Sequence, residues 1–168
     1  MTINYRPSEL EKRIFTFYLK KGVWVPEDIK ETLISDLFGI ILTYSDKRSF
    51  AVEEENFKMI NINNQIDEKQ QREHFFHELC HIVRHFGAQP VMPQSFMELQ
   101  EIDSKRFTKY AALPYHMIMQ YDFKNPHLIH NLSDDFKVTE ELCWRRIEDI
   151  RRKQTDAFLV PEKTLTYN

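Results

Sequence analysis

The sequence predicts an α+β fold. Three observations carry that prediction. Apolar residues recur at helical spacing on both sides of a central block. The block itself ("IILTYSD", "RSFAVEE", "NFKMININ") switches to short runs rich in β-branched and aromatic residues. Behind it, the segment 68–86 forms a sharply two-faced helix.

Each element has its own local signal. The first helix opens on Ser8 and Glu11 as a capping box and carries Leu10, Ile14, Phe15, Tyr18 and Leu19 as its stripe. Pro26 starts a second, with Ile29, Leu33, Ile34, Leu37 and Phe38 facing inward. The turn-like "DKR" and "EEN" separate the three central runs, which predicts a three-stranded meander. Asp67 and Gln70 suit the start of the helix over 68–86, and a loop over 87–94 follows. Ser95 and Glu98 form a capping box for a helix over 96–112 that stops before Pro114, with Phe96, Leu99, Phe107 and Tyr110 as its core stripe. Asn125-Pro126 and Thr139 begin two more helices. Gly22, Gly39 and Gly87 each follow an apolar-periodic run, as left-handed helix ends require.

Bulk properties narrow the function. A length of 168 residues with 42% hydrophobic content suits one domain. The net charge of −3 gives no electrostatic reason to expect nucleic acid. No run reaches the roughly 18 apolar residues of a membrane helix, and "MTINYRPSEL" lacks a signal-peptide pattern, so a cytoplasmic location is expected. With three glycines there is no phosphate-cradling loop. Cys80 and Cys143 form no CxxC pair and are expected as free thiols, Cys80 as a small packed residue.

The chemistry concentrates in "REHFFHELCHIVRHFG", residues 72–87. On a helical wheel His74, His77, His81, Arg84 and His85 share one side, while Phe75, Leu79, Ile82, Val83 and Phe86 take the other. Within that face lies H-E-L-C-H: His77, Glu78, His81. Two imidazoles four residues apart stand about 6 Å apart along one face and can share one tetrahedral Zn²⁺. Glu78 sits to the side, placed to act as a base on a water. Random order would supply this pattern roughly 0.03 times, which disfavours coincidence. The bland alternative is a solvated amphipathic face, which is also the expectation for His74.

A catalytic zinc needs a third protein ligand. A metzincin would need glycine at 84 and histidine at 87; Arg84 and Gly87 exclude that class. "SFMELQEIDSKRFTKYAALP" offers Glu98, Glu101 and Asp103. Periodicity leans toward Asp103, and spacing does not settle the choice.

These residues carry a resemblance. The run from the central strands through "HFFHELCHIVRHF" and "QEIDSKRFTKYAALP" resembles the ImmA/IrrE family of zinc metallopeptidases, whose pattern is H-E-L-G-H and then E-x-E-A-N-x-F-A-x-x-L-L-M-P. It covers roughly residues 25–120, with Phe107 and Pro114 matching the second motif. Asp103, Ser104 and Lys105 depart from E-A-N, Cys80 replaces glycine, and "AALP" replaces "LLMP". The resemblance implies a gluzincin-like fold over a single domain, 1–168: an N-terminal helix to about 24, a catalytic core over about 25–120 and C-terminal helices over about 121–168. It implies zinc on His77, His81 and Glu101, with Asp103 left to support the ligands. It also implies proteolysis of a helix-turn-helix repressor, a partner encoded nearby, as in the anti-repressors of phages and mobile elements. For the developing oxyanion, His85, Tyr110, Tyr115 and His116 are candidates, with His85 also placed to support a ligand. "NFKMININ" would be the edge strand that receives substrate.

Two rival readings fit the same sequence. Residues 128–152 could form a DNA-binding helix-turn-helix above a structural zinc, although the overall charge argues against it. A catalytically silent protein could instead sequester its repressor. The basic run "RRIEDIRRKQ" is expected as a solvated helix face.

Overall fold

The computed structural model describes residues 5–85 and 93–159, with 154–159 by backbone alone. Helix α1, Glu9–Lys20, begins at the expected box: the Ser8 side chain accepts from the Glu11 N–H, and the Glu11 carboxylate accepts from the Ser8 N–H. Gly22 follows it at φ +73°. The run after Pro26 is not one helix. Pro26–Asp28 makes a single 3₁₀ turn and α2 starts anew at Glu31–Phe38. The break has a local cause: the Asp28 carboxylate accepts from the N–H of Trp24 (2.8 Å) and Val25 (3.1 Å), which closes the turn, while Ile29 and Lys30 are extended. Gly39, at φ +64°, ends α2 in the left-handed region that L residues rarely enter.

The sheet comprises β1 (Ile41–Ser45), β2 (Phe50–Glu54) and β3 (Phe57–Asn63). Its order is β1-β3-β2, not a meander. β2 and β3 form an antiparallel hairpin, while β1 lies parallel to β3 with Ile41 opposite Met59. Burial explains the central place of β3. Ile60 and Ile62 are wholly enclosed, which only a strand covered on both edges and packed beneath a helix provides. The buried Asn61 then locks the arrangement. Its Oδ1 accepts from Thr43 Oγ1 (3.2 Å) and Ser45 Oγ (2.9 Å) of β1, and its Nδ2 donates to the Arg48 carbonyl (3.2 Å).

Helix α3, Glu68–Arg84, starts where Asp67 caps the Gln70 N–H at 3.1 Å. It lays Phe75, Phe76, Leu79, Cys80 and Ile82 against β2, β3 and the following helix. Gly87, Phe86 and most of the 87–94 loop lie outside the described residues. Helix α4 spans Gln94–Ala112 from a Pro93 cap, so Ser95 sits inside the first turn and the expected Ser95/Glu98 box does not form. Only the second half of α4 is packed. Phe107 and Tyr110 are buried, but Phe96 and Leu99 are about 60% and 62% exposed, because no described element covers the first turns. Pro114 ends α4 and starts a short α5, Tyr115–Ile118, which the sequence did not predict. Helices α6 (Leu128–Phe136) and α7 (Glu140–Leu159) complete the described residues, and α7 starts with Thr139 Oγ1 accepting from the Leu142 N–H.

One buried ion pair ties the ends of the chain to this frame. Arg146 of α7, expected on a solvated basic face, is fully enclosed. It donates to Glu11 Oε1 of α1 (2.6 Å) and to the Leu113 carbonyl (3.1 Å), and its guanidinium lies 4.6 Å over the Tyr110 ring. Tyr5 and Lys153 complete the shell around Glu11. Burial alone would raise the Glu11 carboxyl, but the guanidinium, the Tyr5 hydroxyl, the Ser8 N–H and Lys153 outweigh it and hold it at about 2.

Two outcomes follow. Replacing Glu11 with Gln strands the Arg146 charge and lowers unfolding free energy by about 3–5 kcal/mol in urea melts at pH 7. Because the folded carboxyl lies at about 2, below its ordinary 4.5, its contribution is present above pH 4.5 and is lost as pH falls toward 2. The wild type therefore loses stability across that window more steeply than Glu11→Gln does.

Candidate metal centre and groove

α3 and α4 share the most extensive helix–helix contact in the fold, and the histidine face of α3 opens beside that seam. His77 and His81, one turn apart, bring their Nε2 atoms to 3.2 Å. Glu101, from α4, places Oε2 3.4 Å from His77 Nε2 and Oε1 3.4 Å from His81 Nε2. Four donors at about 2.0–2.1 Å around a tetrahedral zinc stand roughly 3.3–3.4 Å from one another. The two imidazole nitrogens, and each nitrogen with its nearer carboxylate oxygen, already lie close to that spacing, and one ligand atom from each residue lies within 4.8 Å of the others. Two nitrogens and one carboxylate oxygen also suit zinc chemically.

The protonation states favour a cation too. Burial, and then the neighbouring His77, holds His81 down at about 4 despite the attraction of Glu101. His77 is lowered chiefly by burial as well. Both rings are therefore neutral at pH 7, the form that binds metal.

Behind His81 runs a chain of hydrogen bonds. His81 Nδ1 is 3.0 Å from His85 Nδ1, and His85 Nε2 is 3.1 Å from Asp103 Oδ2. Arg84 fixes Asp103 through two bonds of 2.7 and 3.2 Å. If His81 offers Nε2 to an ion, its Nδ1–H donates to His85, whose Nε2–H donates to Asp103, and each tautomer in the chain is fixed by the next. Cys80 Sγ lies 3.9 Å from Asp103 Oδ2 and 4.0 Å from His85 Nε2, so Cys80, His85 and Asp103 form a second cluster of ligand-type atoms. The Arg84 charge on Asp103 opposes a cation there. The Cys80 thiol is also pushed up to about 12, mainly by burial, so it stays protonated.

Glu78 faces the other way, into a groove of about 790 Å³ lined also by His74, His77, Tyr110 and, from the turn before β2, Arg48 and Ser49. Burial first, then the charge of Glu101, raises its carboxyl to about 7, while the Ala51 N–H and Arg48 pull in the opposite sense. That bond to Ala51 identifies the sheet edge beside the site as β2. The central strand β3, expected in that role, has neighbours on both sides and no free edge.

Residues 38–148 match the M78 peptidase family model, described as the IrrE N-terminal-like domain. The chain belongs to this family. Two relatives come from Bacillus subtilis (strain 168). The phage-like element PBSX protein XkdA is 27% identical over 162 residues, covering 95% of this chain and 81% of its own. The uncharacterized protein YqaB is 28% identical over 155 residues, covering 91% and 90%. In fold, the chain is similar to a Mycobacterium tuberculosis transcriptional regulator, with a TM-score of 0.57 at 17% identity over 83% of this chain. It spans 46% of that regulator's length.

The M78 match runs from the end of α2 into α7 and contains His77, Glu78, His81, Glu101 and Asp103. Membership in this metallopeptidase family implies a metal, and the spacing of His77, His81 and Glu101 fits one. Of the oxyanion candidates, Tyr110 lines the groove. Tyr115 and His116 belong to α5 and pack on Phe15 at 5.6 and 4.7 Å, and His85 is engaged with His81 and Asp103. His74 is exposed, as expected, and also lines the groove with its Nδ1 2.8 Å from Ser49 Oγ. Arg48, Ser49 and Lys105 gave no motif signal, since only the fold places the turn before β2 opposite α4.

Metal analysis with chelator competition checks this arrangement. Glu101→Ala abolishes stoichiometric zinc. Asp103→Asn keeps the ion but weakens its affinity by about 10–100-fold, through the loosened His85–His81 chain.

Proposed function

We propose that this M78 family member is a zinc-dependent endopeptidase of gluzincin-like fold, acting in the cytoplasm as a single domain on a helix-turn-helix repressor encoded nearby. The observation that carries the proposal is the convergence of His77, His81 and Glu101 within 3.2–3.4 Å of one another, beside a Glu78 held near 7 at the end of a groove. The name of XkdA, a phage-like element protein, supports a role in a mobile element.

The chain's own residues divide the work. His77, His81 and Glu101 would hold Zn²⁺, which would supply Lewis acidity toward a water and the scissile carbonyl. Glu78 takes a proton from the water and delivers it to the leaving amine. The Ala51 N–H orients one side of the Glu78 carboxylate. The open edge of β2 receives the substrate backbone by strand addition, which holds the bond over Glu78. Tyr110, which lines the groove, donates to the developing oxyanion in this reading.

Arg146 is enclosed against Glu11, so this arginine of the 128–152 segment cannot reach nucleic acid. Sequestration without cleavage is the outcome that the next experiment separates. Glu78→Gln is expected to keep its fold and zinc while cleavage of the neighbouring-gene repressor, followed by mass spectrometry, slows by about 10²–10⁴-fold. If the variant still lifts repression fully in cells, the protein works by binding and the peptidase proposal fails.

A further inference from the structure

The groove leading to His77 and Glu78 is more basic than the whole chain, whose net charge is −3. Arg48, Lys105, Arg106, Lys109, Arg145 and Arg152 line it against only Glu73, Glu78 and Asp149. The acids are already engaged. Glu73 accepts from both the N–H and the hydroxyl of Thr139, and Asp149 holds Lys109 and Arg152. Glu78 is the base of the proposed reaction. Among the cations, Arg145 pairs with Glu141.

That leaves three. Arg48, Lys105 and Arg106 are exposed, and no ion pair or hydrogen bond engages their side chains among the described residues. They occupy two different elements. Arg48 sits on the turn before β2, close enough for its charge to act on Glu78, and Lys105 and Arg106 sit on α4, with Lys105 acting on His77. Uncompensated charges on both sides of a cleft focus its field and favour ligands of opposite sign.

The rest of the lining suits a peptide. Ile102 and Leu142 supply apolar surface, and the Thr108 hydroxyl, in a residue only 6% exposed, has no hydrogen-bond partner among the described residues. Single-stranded nucleic acid would need exposed aromatic faces for stacking. The aromatic residue in the lining, Tyr110, is buried and has Arg146 over its ring.

We propose that the groove selects a peptide segment carrying acidic residues on both sides of the bond presented to Glu78, with Arg48 contacting one flank and Lys105 and Arg106 the other. This rests on the peptidase proposal for the location of the bond, but binding can be measured without cleavage.

The test uses full-length, zinc-loaded Glu78→Gln protein and fluorescein-labelled peptides in which a central Leu-Leu pair is flanked by Glu, Gln or Lys. Fluorescence anisotropy should show the Glu peptide binding at least about tenfold tighter than its Gln counterpart at low salt, with the advantage shrinking as salt rises. Replacing Arg48, Lys105 and Arg106 together with Gln should erase that advantage. The same change at Lys20, Lys21 and Lys30, which are exposed and do not line the groove, should leave it intact, with thermal melts checking that both triple variants fold. Equal affinity for the Glu and Gln peptides, or equal loss in the two triple variants, overturns the proposal. So does a short oligothymidine that binds more tightly than the Glu peptide and displaces it. Wild-type protein that never cuts a repressor while Glu78→Gln still prefers the Glu peptide would sink the peptidase proposal and leave this one standing.

Discussion

The seam between α3 and α4 is the constraint on which the site depends. His77 and His81 are spaced by the helix itself, but Glu101 reaches them only if α4 crosses α3 at one height and one rotation. Several interactions set that placement. Phe107 and Ala111 are buried along α4, Arg84 holds Asp103 across the seam, and buried Ser104 lies 3.4 Å from His81 Nε2. An error of one residue in that contact would exchange Glu101 for a neighbour pointing elsewhere on the wheel, since successive residues differ by about 100°.

The two faces of α3 reinforce each other. Its apolar face is clamped between the sheet and α4, and this removes the histidine face from bulk water without enclosing it. Partial burial keeps both imidazoles neutral and raises Glu78, so the same packing that stabilises the helix also tunes its chemistry. The hydrogen-bonded chain from His81 through His85 to Asp103 ends on Arg84 of the same helix, so the orientation of the His81 ring is tied to the helix that bears it.

Away from the site, the Arg146–Glu11 pair has a comparable role. It joins α1 and α7 around the carbonyl end of α4 and supports the Tyr110 ring that lines the groove. Such a pair is costly to bury and costlier to break, so it specifies how the chain ends meet more than it adds net stability. The groove is therefore built from pieces far apart in sequence: the turn before β2, the middle of α4 and the first turns of α7.

What the sequence determined by itself was whatever a single helix or turn decides. The Ser8 and Asp67 caps, the left-handed Gly22 and Gly39, the two faces of α3 and the His77–Glu78–His81 spacing are all set by residues within about one or two turns of each other. Composition likewise limited the nucleotide and membrane alternatives, and no described helix is long and apolar enough to cross a membrane. Tertiary structure decided the rest. Strand order depended on which strand could be covered on both edges, and this placed β3 in the centre and turned the edge of β2 toward Glu78. Periodicity favoured Asp103 as the third ligand because it could rank the faces of α4 only against that helix's own apolar stripe. Phe96 and Leu99 of that stripe are uncovered, and the contact with α3 turns Glu101 to His77 and His81 and Asp103 to Arg84 and His85. Arg146 read as surface because a lone arginine is ordinarily solvated, and its partner Glu11 lies 135 residues away. Local periodicity reports the direction a side chain takes from its own helix; what it meets there is fixed only when the elements pack.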